Sequence, residues 1–461
     1  MIPQELARDL ASIVGAEFLR LDDESRAAYG IDGTRQTGHP ADAVVLPANT
    51  AEVAAVVRAC VAQRVPFVPR GAGTGYTGGA VPLHGGLVIS LERMNRILEI
   101  DEANLIAIVE PNVINGDLQA AVEARGLFYP PDPASIAISA IGGNVAENAG
   151  GPRAFKYGTT KQYVLGLEAV LPTGEIIETG GKVVKNVVGY DLTTLLVGSE
   201  GTLAIVTKVI LRLLPKPPVQ VTLRASFASV RAAAEAVTEI VRRRVVPSAL
   251  ELIDGESLAA IASYSGRSLA SGSVAAILLL EVDGTPAAAG EEAVRVEEAC
   301  RAAGATDVVR APDEAKREEL WSVRRDLSYA LRTISSIKFN HDVVVPKGRI
   351  PELFDLVERL RRDHRLPIPC FGHAGDGNIH VNIMVLPGDE SGIERAHAAE
   401  RALMEGVVQL EGSISGEHGI GYKKRPFIGI ELSPEEISLM KRVKAAFDPY
   451  NLLNPGKIFP G

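Results

Sequence analysis

Val53, Val56, Val57, Cys60 and Val61 recur at the spacing of one helical face, behind Asn49 and Thr50 as candidate N-caps and Glu52 in the first turn. That spacing predicts a helix. Short apolar runs at 43–47, 66–70, 87–91 and 106–109 predict strands around it. Residues 115–125 repeat at helical spacing and close on Gly126. The runs 165–172 and 175–179 flank Thr173-Gly174, which predicts a hairpin. Pro215-Lys216-Pro217-Pro218 breaks both periods, because proline has no N–H and a fixed φ. A second rhythm follows: strand 219–227, helix 229–244, strands 248–254 and 274–282, and helices 287–303 and 352–363. Residues 379–385 read as a further strand. Ser433-Pro434-Glu435-Glu436 starts a last helix with a cap, a proline at its first position and a glutamate at its third.

The alternation predicts an α+β chain: an N-terminal helical lead-in over 1–37, a first domain over 38–217, a second with an antiparallel sheet over 218–430, and a C-terminal segment over 431–461. At 461 residues there is room for two or three cores. A formal charge of −9 argues against nucleic acid or an anionic membrane surface as the main partner. The longest apolar run, 274–280, falls far short of the roughly 20 residues of a membrane helix, so no transmembrane segment is expected. Glu5 and Asp9 stand where a secretion signal would be apolar. Cys60, Cys300 and Cys370 are too far apart for a CxxC metal or iron–sulfur site. A cytoplasmic chain is expected, with no electron carrier built on its own thiols.

Two clusters carry the densest chemistry: Gly372-His373-Ala374-Gly375-Asp376-Gly377-Asn378-Ile379-His380-Val381-Asn382, and Ser415-Gly416-Glu417-His418-Gly419. His380 and Asn382, two apart on a strand, share a face. His373 is expected from the preceding turn and Glu417 from the later loop. Two histidines and one carboxylate suit a divalent metal with open coordination positions, and zinc, manganese, iron and cobalt all accept that set. His418 remains as a spare imidazole. The plain alternative is satisfied core histidines among ordinary glycine turns.

Gly73, Gly75 and Gly78 satisfy G-x-G-x-x-G after a strand, yet no helix opens there. Gly79, Pro82 and Gly85-Gly86 lead instead to another strand, which excludes a Rossmann site. Strand–loop–strand remains, with successive N–H groups from Arg70 to Gly79 able to nest a pyrophosphate. An exposed loop is the alternative. A second glycine-rich stretch lies at 141–151.

Pro69-Arg70-Gly71-Ala72-Gly73-Thr74-Gly75, Pro131-Asp132-Pro133, Gly142-Gly143-Asn144, Gly198-Ser199-Glu200-Gly201-Thr202-Leu203 and Asn454-Pro455-Gly456-Lys457 occur in the order found in FAD-linked oxidases. The chain thus resembles the vanillyl-alcohol oxidase/p-cresol methylhydroxylase superfamily over roughly 40–460. Its histidine clusters resemble the branch of D-lactate, glycolate and D-2-hydroxyglutarate dehydrogenases. The resemblance implies a PCMH-type FAD-binding domain of two α/β subdomains, a ferredoxin-like α+β cap domain, and a C-terminal helical segment returning to the FAD domain.

Position by position, the resemblance implies that Arg70, Gly71, Ala72, Gly73, Thr74 and Gly75, with Thr77 and Gly78, cradle the FAD pyrophosphate. Pro131, Asp132 and Ser135 lie along the flavin and its phosphate. Gly142, Gly143, Asn144 and Asn148 admit the isoalloxazine and ribityl chain. Glu200, Gly201 and Ile205 flank the adenosine, and Asn454 returns to the cofactor. No histidine lies between Arg70 and Gly79, so FAD bound without a covalent link is expected.

The same resemblance makes His373, His380 and Glu417 the ligands of a divalent metal beside the flavin. Substrate carboxylate and hydroxyl bind the metal, His418 takes the proton, and hydride passes to flavin N5. Arg324, in Leu320-Trp321-Ser322-Val323-Arg324, meets the substrate carboxylate, and Asn382 bonds the substrate or orients a ligand. Ser328 replaces the threonine of the hydroxyglutarate enzymes, and 337–342 aligns poorly with their Lys-x-Asp. A short acid, D-lactate or glycolate, is therefore expected, with D-2-hydroxyglutarate as the alternative. A flavin-dependent transferase would carry a longer histidine run; a non-catalytic FAD subunit is the remaining class. Reduced flavin needs an acceptor outside the chain: an iron–sulfur subunit, an electron-transfer flavoprotein, a cytochrome or a quinone route. The chain would then meet a membrane only through a partner, with a homodimer left open.

Overall fold

The computed structural model describes residues 1–33, 39–267 and 274–460. Residues 34–37 of the expected lead-in, and residue 38, lie outside them. Contacts divide the chain into two units, Met1–Gly150 with Thr159–Lys216 and Glu417–Gly461, and Gly151–Gly158 with Pro217–Gly416. The first unit thus resumes at Glu417, ahead of residue 431 where a C-terminal segment was expected.

In the first unit, helix α1 (Gln4–Val14) buries Leu6, Leu10 and Val14 in the core. The helix predicted behind Asn49 is α2 (Thr50–Ala62), and the Asn49 side chain accepts the Glu52 N–H. Val53, Val56, Val57 and Cys60 turn inward with Leu6 and Leu10. They meet a four-stranded sheet of β1 (Leu19–Arg20), β2 (Ala43–Val45), β3 (Phe67–Arg70) and β4 (Leu87–Ser90), in the order β1-β2-β4-β3. β4 runs parallel to β2 and β3, so β3 and β4 need a long connection, and that connection is the glycine loop.

Five antiparallel strands form the second sheet: β5 (Ile97–Asp101), β6 (Ile106–Val109), β7 (Val164–Val170), β8 (Ile176–Gly180) and β9 (Ile205–Arg212). The predicted hairpin is β7 and β8. Alternate residues of β9 are buried, the period of a strand with one face inward. Helix α3 (Asn115–Glu123) precedes the glycine-rich stretch, which carries no helical period yet forms α4 (Ile141–Glu147). Asn148 ends α4 in the left-handed region at φ 53°. The C-terminal helix Pro434–Phe447 has the predicted capping box between Ser433 and Glu436.

The second unit holds a seven-stranded sheet with every neighbour antiparallel. Its strands are β10 (Val219–Phe227), β11 (Ala249–Asp254), β12 (Ala276–Gly284), β13 (Ala305–Arg310), β14 (Ile337–Val344), β15 (Cys370–His373) and β16 (Asn378–Val385), ordered β13-β10-β12-β11-β15-β16-β14. Helix α5 (Val230–Arg242) precedes α6 (Gly255–Ser265), α7 (Pro286–Ala302) and α8 (Glu314–Ala330). Leu320, Trp321 and Leu327 of α8 and Ile261 of α6 pack on Ile253, Ile277, Leu279 and Phe371 of the sheet. All three cysteines are buried and unpaired. No helix among the described residues is long and apolar enough to cross a membrane.

Leu10 is fully buried where α1 meets α2. Leu10→Ala should therefore destabilise the first unit by about 2–5 kcal/mol, read as a lower denaturation midpoint. An unchanged midpoint would show that α1 is peripheral.

Candidate functional site

β3 ends at Arg70, and the loop that follows is organised from beneath by that side chain. Arg70 Nη1 donates to the carbonyl of Ile31 at 2.7 Å, and a Cβ on Gly73 (φ 66°) would collide with the guanidinium. Arg70 thus shapes the loop, and burial lowers its pKa from the ordinary value. Among the described residues, the N–H groups of Gly73, Thr74 and Gly75 donate to no protein acceptor. The space where a Gly75 side chain would stand is open. Thr77 and Gly78 turn the other way. Thr77 Oγ1 donates to the His418 carbonyl at 3.1 Å, and the Gly78 N–H donates to Asp32 at 2.8 Å.

Gly71 lies against the start of α4, where a Cβ would sit 3.6 Å from the Gly143 nitrogen. Gly142 donates to the Pro111 carbonyl at 2.6 Å, while Gly143 faces open space. Next to it, Nδ2 of buried Asn144 has no hydrogen-bond partner among the described residues. Pro131 is anchored by Asn115 and Gln119, whose amides donate to its carbonyl at 3.0 and 2.9 Å. The Ser135 carbonyl accepts the N–H groups of Ile138 and Ser139, both at 2.8 Å, with Asp132 half-buried in the same turn. Asn148 uses its Oδ1 on Thr159 and on the Lys161 N–H, both at 2.9 Å.

Glu200, at φ 53°, accepts the N–H groups of Ile420 and Gly421 at 2.8 and 2.6 Å, so its carboxylate holds the segment after His418. Burial raises its pKa and those two N–H groups oppose the rise. A Cβ on Gly201 would sit 2.9 Å from Pro69, and Ile205 is a core side chain at the start of β9. Asn454 ties these pieces together: Nδ2 donates to the carbonyls of Gly79 and Glu200 at 2.9 and 3.0 Å, and its N–H to Phe67 at 2.7 Å. Open donors at Gly73–Gly75, free space at Gly75 and Gly143, and the lone amide of Asn144 fit a dinucleotide cofactor.

The histidine clusters belong to a different setting. His373 closes strand β15; it does not come from the turn, because β15 pairs with β11 on one side and β16 on the other. Its register partners are Glu251 and Asn378, while His380 stands opposite Phe371 and Asp342. The imidazoles of His373 and His380 meet edge to face, centroids 5.3 Å apart. Gly416, whose N–H donates to the carbonyl and carboxylate of Asp342 at 2.9 and 3.0 Å, fixes the chain just before Glu417. The His373 and His380 imidazoles are a donor pair that fits a metal ion, and Glu417 opens the segment that follows Gly416. His418 follows, Nε2 3.8 Å from the Glu417 carboxylate and its ring 5.3 Å from that of Tyr76.

Asn382 is engaged at both ends of its amide. Nδ2 donates to the carbonyls of Pro369 and His380, each at 3.2 Å, and Oδ1 accepts from Asn340 at 2.7 Å. Arg324 points from α8 to Glu251, bonding through Nε, with its guanidinium 4.9 Å from the Phe371 ring.

A model of "FAD binding domain" matches residues 41–180, and one of "FAD linked oxidases, C-terminal domain" matches 216–458. The chain belongs to the FAD-linked oxidases. "Glycolate oxidase subunit GlcD" of Bacillus subtilis is 42% identical over 100% of this oxidase and 97% of its own length. "D-lactate dehydrogenase" of Anaerostipes hadrus is 36% identical, over 90% of this chain and 89% of its own. Among solved structures, p-cresol methylhydroxylase superposes with a TM-score of 0.83 at 17% identity, over 99% of this chain and 97% of that one. That likeness gives the oxidase its fold, an α+β chain with a PCMH-type FAD-binding domain.

Glu251 escaped sequence reasoning. It is fully buried, it accepts His373 Nδ1–H on Oε1 at 2.5 Å, and it takes Arg324 on the other oxygen. Burial would raise its pKa, but Arg324 and His373 outweigh that and hold it at about 2. The available signal was a single carboxylate inside the apolar run Ala249-Leu250-Glu251-Leu252-Ile253. Lys338 lies in the segment that aligns poorly with the Lys-x-Asp of the hydroxyglutarate enzymes. Its Nζ lies 3.1 Å from Ser328 Oγ, and burial, helped by Arg332, pushes it down to about 8.

Beyond its own helix backbone and chain neighbours, no atom of the described residues would lie within 4 Å of a Cβ on Gly143. Gly143→Val should thus fold normally by circular dichroism yet purify with little or no flavin absorbance. Full flavin content in that variant would move the cofactor elsewhere.

Proposed function

We propose that this oxidase converts a small D-2-hydroxy acid, D-lactate or glycolate, to the 2-oxo acid. FAD is held non-covalently, and a divalent cation (zinc, manganese, iron or cobalt) is held by His373, His380 and Glu417. The observation that carries this is the edge-to-face meeting of the His373 and His380 imidazoles, centroids 5.3 Å apart on one face of the sheet, with Glu417 and His418 adjacent in the second cluster. Such a set leaves coordination positions for a carboxylate and a neighbouring hydroxyl. The names of the relatives support the substrate class.

Oxidation must remove the hydroxyl proton and a hydride from C2. When bound, FAD supplies the acceptor for the electron pair and the cation lowers the hydroxyl pKa. His418 takes the proton, its backbone held by Thr77 and its ring against Tyr76. Arg324 offers its terminal guanidinium edge to the substrate carboxylate, since neither Nη donates to the protein among the described residues. Asn382 is a positioning residue that holds His380 in register. Electrons leave to a protein partner, an iron–sulfur subunit or an electron-transfer flavoprotein, or by a quinone route. That one relative is named a glycolate oxidase subunit supports such a complex. The chain works in the cytoplasm and meets a membrane through that partner.

A second substrate, a hydroxy diacid such as D-2-hydroxyglutarate, is favoured by one observation. Ser328 lies one turn beyond Arg324 on α8, and Lys338 on Ser328 brings a second cation to that helix face. Anaerobic mixing with glycolate, D-lactate and D-2-hydroxyglutarate separates the two. Bleaching of the flavin should be fastest with a monoacid, lost after chelation and restored by added metal. His418→Ala should slow reduction by on the order of 10²- to 10⁴-fold with flavin content unchanged. Normal reduction in that variant would remove His418 as the base, and a strong diacid preference would replace the monoacid assignment.

A further inference from the structure

We infer that Glu251 is a positioning residue that serves the cation site and the substrate-carboxylate site at once, holding His373 with one oxygen and Arg324 with the other. This rests on the assignment of His373 as a cation ligand. Glu251 sits in the middle of β11, where all six residues are buried, and is itself 0% exposed. A lone carboxylate there would be strongly unfavourable, so its partners must satisfy it. Both oxygens are engaged, Oε1 by His373 Nδ1 and Oε2 by Arg324 Nε.

The register makes the arrangement stiff. Glu251 and His373 are direct partners across the antiparallel pair of β11 and β15, so their side chains rise from one face of the sheet. Arg324 comes down on that face from α8, beside Leu320, Trp321 and Leu327 in the core. An ionised carboxylate only accepts, so His373 Nδ1 must carry the proton. The lone pair is then on Nε2, the nitrogen a metal requires. In the same way, tying Nε of Arg324 presents Nη1 and Nη2 as the edge left for a carboxylate. One buried group thus fixes both the tautomer of a ligand and the heading of a substrate contact. A buried ion pair serving stability alone would require neither result.

The test uses full-length protein with FAD in place, stripped of metal by chelation and titrated with cobalt(II) while its visible d–d bands are followed. Glu251→Gln keeps the shape and removes the charge. Cobalt affinity should fall 10- to 100-fold, and KM for glycolate should rise at saturating metal, with FAD content unchanged. In a His373→Ala background the same change should cause no further loss of cobalt affinity. If Glu251→Gln does not fold, the paired variant E251M/R324M removes both charges together and must show the same fall in cobalt affinity. Wild-type cobalt affinity in a folded variant of either kind overturns the inference, as does an unchanged KM for Glu251→Gln. Should His373→Ala alone leave cobalt binding intact, it is the cation site itself that fails.

Discussion

Antiparallel register is the constraint on which the histidine site depends. Residues directly opposite in paired strands share a face, and alternate residues along each strand share it too. Glu251 opposite His373, Phe371 opposite His380, Asp342 opposite His380 and Asn340 opposite Asn382 therefore place one band of polar side chains on a single face of the sheet. The residues between them, Leu250, Leu252, Ile379, Val381 and Ile383, are buried and apolar. A slip of one residue in β15 or β16 would exchange the two sets, putting imidazoles into the opposite layer. Gly372 protects the register: a Cβ there would lie 2.4 Å from the Asn378 carbonyl oxygen, so only glycine allows the strands this close.

The nucleotide loops obey a different rule. None of them lies in a regular ladder, so their polar backbone must be satisfied piece by piece. Asn454 joins three of them, Asn115 and Gln119 hold a fourth, and Glu200 fastens the segment after His418. The motif residues accordingly fall into two kinds. Arg70, Thr77, Asn148, Glu200 and Asn454 are engaged with protein and give the loops their shape. Gly73, Thr74, Gly75, Gly143 and Asn144 keep donors or space open.

Much of the fold was legible because its signals are local. The N-cap at Asn49, the hairpin at Thr173-Gly174 and the capping box at Ser433 each depend on a few adjacent residues, and each is present. The alternation in Asn378-Ile379-His380-Val381-Asn382 likewise announced a strand with polar residues on one side. Helix α4 was not legible, since two glycines dilute its period and its stability comes from packing against Pro111 and Val113. The place of His373 in a strand is hidden for a related reason: β15 is four residues long and draws its geometry from neighbours on both sides, one of them far away in sequence.

Glu251 shows what a single sequence hides most completely. A carboxylate in an apolar strand is locally a contradiction, and nothing within the run resolves it. The resolution comes from Arg324 and His373, more than 70 positions away, supplied by a helix and by a neighbouring strand. Removing Arg324 would leave a buried charge without its counter-ion, and removing His373 would take a hydrogen-bond donor from it, so the three residues stand or fall together. Such a group has to be preserved as a set, which ties the folding of this sheet to the chemistry placed on it. The nucleotide loops differ, because the bonds that Asn115 and Asn454 make there run from a neutral amide to backbone carbonyls, and losing one strands no charge.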